Sequence, residues 1–173
     1  MMKGELSFVE YIASIGVFIS FVAYIFFLLL RYYPLYVQEM ENERKRLEAY
    51  QISELLINDP GDPANWNSLD SVKRLGFSDE TNNKTNLISF AKISKMRDLQ
   101  SNDLCAPNHG YEWVKSKIDS EFDFSLILLN LTNQQLLINC FPSKVIVTPS
   151  NITVRRIVAF DTGGYGELIV QMW

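Results

Sequence analysis

The sequence predicts an α+β protein: a long N-terminal helix, transmembrane and then amphipathic, followed by a small head domain with an antiparallel β-sheet. Three observations carry this. The chain is uncharged for twenty residues, from Tyr11 to Leu30. Beyond Pro34, apolar residues recur at helical steps as far as Asn58. From Phe122 onwards, short apolar runs alternate with Asn-, Pro- and Gly-containing turns. These set the boundaries: a helix ending at Asn58 with a transmembrane segment over residues 8–30, and a head over residues 59–173.

At about 1.5 Å rise per residue, a helix over Tyr11–Leu30 spans roughly 30 Å, the hydrocarbon thickness of a bilayer. The stretch has no polar stripe, so an amphipathic surface helix is excluded. Tyr11, Tyr24, Tyr32 and Tyr33 lie at or near its ends, where amphipathic rings favour the headgroup level. A secretory signal peptide cut off behind its apolar region does not fit. The run is too long, and Arg31-Tyr32-Tyr33-Pro34 stands where a small-residue cleavage site is needed. A buried core helix is the remaining alternative, and runs this long are rare outside membranes.

The remaining residues, about 115, suffice for one domain with a single core. A formal net charge of −4 offers no basic patch for nucleic acid. Cys105 and Cys140 both lie well beyond the span. An even count in a small, membrane-attached domain suggests a disulfide in an oxidising compartment. Two buried thiols in a cytosolic domain are the competing reading. Two Cys and one His at no ligand spacing fall short of a zinc site, and no cofactor is expected.

Signals for the side of the membrane conflict. Only Lys3 and the amino terminus are basic before the span, whereas Arg31, Arg44, Lys45 and Arg46 follow it. The positive-inside rule alone puts the head in the cytoplasm. Three N-x-Ser/Thr sequons, at Asn83, Asn130 and Asn151, are possible N-glycosylation sites and favour the outside. Arg44–Arg46 also stand among Glu39, Glu41, Glu43 and Glu48, where they can serve helix-surface pairs.

The first residues bear on the choice. Lys3-Gly4 precedes Glu5, Ser7 and Glu10-Tyr11 at the start of the apolar run. This pattern resembles the class III signal peptide of archaeal type IV pilin-like proteins. The resemblance implies a leader of residues 1–4, cleavage by a prepilin peptidase between Gly4 and Glu5, and a retained helix. It also implies a head outside the cell and assembly with other pilin subunits through the helix. Glu5 stands where the family usually has Gln or an apolar residue, and Glu10 is the sixth residue past the cut rather than the fifth. In the family this carboxylate pairs with the amino terminus that cleavage exposes. Read without the resemblance, Lys3-Gly4 is a chance pair before a plain signal anchor, and Glu10 is a membrane-edge residue reaching to water.

Pro34 removes one helical donor and is expected to kink the rod rather than end it. From there Leu35, Val37, Met40, Leu47, Tyr50, Leu55 and Leu56 recur mostly at three, four and seven residue steps. Asn58-Asp59-Pro60-Gly61-Asp62-Pro63 stops the helix. The order of helix end, Pro-Gly-x-Pro turn, Trp66 and Val72–Phe77 also resembles archaeal pilin-like membrane proteins. Trp66 is expected in the core, covering the turn.

Leu87–Leu99 is expected to form a short helix and Tyr111–Ile118 another, with Tyr111, Val114 and Ile118 on one face. His109 lies near Cys105, so a Cys-His catalytic pair comes to mind, but no orienting group accompanies it. Phe122–Leu128, Gln135–Cys140, Lys144–Thr148, Ile152–Phe160 and Glu167–Trp173 read as strands of an antiparallel meander. Asp161–Gly166 precedes a strand and lacks the Lys-Ser/Thr of a P-loop, so it reads as a hairpin turn.

The functional expectation is a non-enzymatic, pilin-like, membrane-anchored subunit of a type IV-like pilus or related surface filament. The alternative is a single-pass anchored domain that binds at the cell surface and never polymerises. A cytoplasm-facing accessory protein is a third reading, favoured by the charge count alone.

Overall fold

The computed structural model describes residues 3–66, 68–79, 86–144 and 151–173, with side chains from Phe8 onwards. The fold is α+β. Its first element is α1, Lys3–Asn58, which runs on through Pro34. The chain divides into two compact units, one ending at Glu41 and the other comprising Asn42–Trp173. The second unit therefore begins inside α1, sixteen residues before the helix ends, because this part of the helix belongs to its core.

The apolar stripe of that part matches the expected one only at its end. Leu35, Val37, Met40, Leu47 and Tyr50 are all exposed. Of the expected residues Leu56 is buried and Leu55 half-buried against the core, and Ala49, Ile52 and Ile57 join them, with Lys45 and Ser53 on the same face. Positions 45, 49, 52, 53, 56 and 57 follow a 3.6-residue period. The small residues Ala49 and Ser53 allow close packing at this face while contributing little hydropathy, so the longer exposed side chains masked it.

Among the described residues the sheet holds five strands in the order β1 (Leu87–Ile88), β4 (Ile152–Phe160), β5 (Tyr165–Met172), β2 (Phe124–Asn130), β3 (Gln135–Cys140). β1 runs parallel to β4, and the other pairs are antiparallel. This corrects the expected meander: hairpins β2–β3 and β4–β5 are joined through β2 and β5. The reason lies in burial. β2 and β5 are the strands buried at most positions along their length, so they take the centre. β4 alternates Thr153, Arg155 and Ile157 outward with Val154, Val158 and Phe160 inward, a pattern suited to one wet face. The expected strand over Lys144–Thr148 lies, from Val145, outside the described residues.

β3 and β4 have the expected limits, whereas β2 starts two residues late and β5 two residues early. The helix expected over Leu87–Leu99 shortens to α2, Phe90–Lys95. Leu87–Ile88 goes to the sheet instead, because Ser89 N–H donates to Phe77 O and Asp161 N–H to Ile88 O.

The third helix, α3, spans Gly110–Ile118 and buries Tyr111, Val114 and Ile118, as its spacing predicts. The Tyr111 hydroxyl donates to Asp123 at 3.3 Å and accepts from Phe124 N–H at 3.1 Å. Burial pushes this phenol up to about 12, with Asp123 adding to the rise and the Phe124 N–H opposing it. The folded state therefore holds the phenol proton more tightly than the unfolded chain. That stability is fully present below about pH 10 and is lost as pH rises towards 12, by roughly 2 kcal/mol. Urea titrations at pH 9 to 12 should show the loss, and Tyr111→Phe should flatten this part of the profile.

Candidate functional site

The candidate membrane element is the first part of α1. From Phe8 to Glu41 every residue is exposed except the half-buried Leu28. Phe18, Phe26 and Phe27 are among the exposed side chains. Leaving such side chains in water rather than an apolar phase costs on the order of 2 kcal/mol each. The helix is long and apolar enough to cross a membrane, and none of its most apolar window is buried. The alternative of a buried core helix is therefore not what the fold contains. Gly4 and Glu5 lie within the helical backbone, and Glu10 is exposed on the same helix inside the apolar stretch.

Of the basic residues after the span, Arg44, Lys45 and Arg46 have partners within the second unit. Arg44 donates to Glu121 at 2.9 Å, and Arg46 lies 3.6 Å from Glu43. The Lys45 ammonium stands over the Phe122 ring at 5.6 Å. Glu48 accepts from the Ser120 hydroxyl and from Glu121 N–H at 3.0 Å. On β4, Arg156 donates to Glu54 and Ser53 and lies over Tyr50. The charge run on α1 thus serves to seat the helix end on loop 120–122 and on β4.

Beyond Asn58 the chain forms a tight knot. Asp59 accepts from Gly61 N–H at 2.6 Å and pairs with Arg74 at 2.7 Å. Phe77 N–H returns to Leu56 O, and Ser78 N–H to Asp59 O. Trp66 is buried, as expected, and its indole N–H donates to Gly76 O at 3.3 Å. The Lys92 ammonium, nearly buried, donates to Pro60 O at 2.7 Å and Ser78 O at 2.9 Å. Nothing in the sequence marked Lys92 for this role, because a lysine in a short polar helix reads as a surface residue.

Cys105 and Cys140 form a disulfide. This removes the thiol that a Cys-His pair requires. His109 is engaged elsewhere: its Nε2 lies 3.2 Å from Asp70 and its ring stacks on Trp113 at 5.1 Å. The Asp98 carboxyl is held below the usual carboxylate range by Gln100 N–H first and by the Ser101 hydroxyl. Among the described residues no cluster of three or more His, Cys, Asp or Glu is placed to hold a metal ion.

The sequons fall in three different settings. Asn83 lies outside the described residues. Asn130 ends β2, half-buried, and its side-chain oxygen accepts from Thr132 N–H at 2.9 Å. Asn151 is exposed immediately before β4. Of the expected turn Asp161–Gly166, residues 161–164 form the β4–β5 turn, closed by Phe160 N–H to Gly164 O, with Gly163 and Gly164 at positive φ, and Tyr165 and Gly166 open β5. The Asp161 carboxylate accepts from Phe90 N–H at 2.9 Å, so it serves the start of α2 rather than a phosphate. Comparison with protein-family models, curated proteins and solved structures finds no match to this chain.

Proposed function

We propose that this chain is a pilin-like subunit of a type IV-like surface filament. Its helix holds the precursor in the membrane and joins the processed subunit to identical or related pilins. The observation that carries this reading is a single helix, bilayer-long, apolar and exposed at its start, that ends as a core element of a disulfide-bonded α+β unit.

The head is outside the cell in this reading. The disulfide supports an oxidising compartment. The ion pairs of Arg44 and Arg46 also support it, because they give these two basic residues behind the span a use in the folded unit. Its role is structural or adhesive rather than catalytic, and its partners are the bilayer, a prepilin peptidase and other pilins.

Glu10 tests the assembly step. A carboxylate at the bilayer centre costs on the order of 2.5–3.5 kcal/mol and less near the interface. Pairing with the amino terminus that cleavage exposes on a neighbouring subunit offsets this and sets axial register. Glu10→Gln is expected to insert and be cleaved normally while its share of the sheared filament fraction falls about tenfold, equivalent to about 1.4 kcal/mol. Incorporation at the wild-type level would make Glu10 a membrane-edge residue. Wild-type protein found wholly in the membrane fraction would leave the anchored, non-polymerising domain.

A further inference from the structure

Among the described residues β3 is the last strand of the sheet, and one of its edges has no described strand beside it. On that edge Asn139 N–H donates to Leu104 O at 2.9 Å. The next residue, Cys140, is bonded to Cys105. Leu104-Cys105 is thus pinned over the end of β3 by one covalent bond and one adjacent backbone hydrogen bond.

Both flanks of this dipeptide have attachments of their own. Asp103 O accepts from Asp98 N–H at 2.6 Å, and Ala106, fully buried, donates its N–H to Met96 O at 2.9 Å. Cys105 is half-buried and lines an open groove of about 690 Å³, together with Leu99, Leu104, Leu136 and Phe141. Cys140 is fully buried.

We propose that the Cys105–Cys140 bond is a redox-operated clasp on the sheet edge, which an external dithiol opens by releasing Leu104-Cys105 from β3. One thiolate of the dithiol attacks Cys105 Sγ from the groove, and the Cys140 sulfur leaves with the electron pair of the S–S bond and takes up a proton. The second thiol of the reagent then displaces Cys105 as a thiol and leaves as its own disulfide. Two protein thiols and one oxidised reagent result. One hydrogen bond open to competition from water does not outweigh the backbone freedom of two released residues, so the edge at Asn139 opens. The anchors at Asp103 and Ala106 confine the change.

Amide hydrogen exchange on the full chain in detergent micelles, oxidised and after dithiothreitol, tests this. Exchange at Asn139 is expected to accelerate by about tenfold or more relative to the amides of β2 and β5. The same acceleration at every amide would overturn the proposal, because the bond would then act only on global stability. So would a bond that dithiothreitol reaches only in denaturant. Cys105→Ser combined with Cys140→Ser should reproduce the relative change without reductant. If that variant does not fold, the reduced wild-type chain decides the matter alone.

Discussion

Replacing Cys105 and Cys140 together by serine is expected to lower the stability of the Asn42–Trp173 unit by roughly 4 kcal/mol. The bonded residues are 35 apart in sequence, and this closed loop restricts the unfolded chain far more than the native one. On the chain-entropy account most of the loss arises in the unfolded state. Urea unfolding of the full chain in detergent, followed by tryptophan fluorescence, should show a lower midpoint for the serine variant. An unchanged midpoint would mean that the bond's constraint on the unfolded chain is matched by strain or lost contacts in the native one. The local opening proposed at Asn139 is a separate, native-state effect, and exchange ratios between amides resolve it from the global loss.

Gly76→Ala is the second large effect, at about 3 kcal/mol or more. A Cβ at Gly76 would collide with the backbone carbonyl of Asp59 and lie 2.5 Å from Gly61 N. Both are backbone atoms of the knot that ends α1, so neither can move aside as a flexible side chain would. Relief requires parting the strand-like segment at Gly76 from the turn. That would break the Trp66 and Phe77 hydrogen bonds to Gly76 O and Leu56 O. Gly16→Ala is the control, since nothing lies within 4 Å of the position a Cβ would take there. Thermal unfolding should separate the two variants clearly, and equal midpoints would show that the knot yields without cost.

Elements governed by local pattern were legible in the sequence. The end of α1 at Asn58 follows from Asp59-Pro60-Gly61, and α3 follows from Tyr111, Val114 and Ile118 at helical spacing. The strands Gln135–Cys140 and Ile152–Phe160 follow from runs bounded by turn residues. Strand order was not legible, because the pairing of β2 with β5 is decided by which strands can be buried on both faces. Of the buried stripe of α1 only Leu55 and Leu56 were legible, the rest being hidden by the small side chains of Ala49 and Ser53. The burial of Lys92 was hidden because its partners, Pro60 O and Ser78 O, are backbone groups 32 and 14 residues away in sequence. Of the candidate site, the apolar helix and the cysteine pair were visible as composition and count. Lys3-Gly4 and Glu10 were visible only as a resemblance, which the fold of this chain does not test.

The mature amino terminus is therefore the most direct test of the pilin-like account. Mass spectrometry of native protein from the membrane or filament fraction is expected to find a chain beginning at Glu5, with Gly4→Val leaving the full-length form. Native protein that still begins at Met1 or Met2 would contradict the account and leave a plain signal anchor carrying an α+β head.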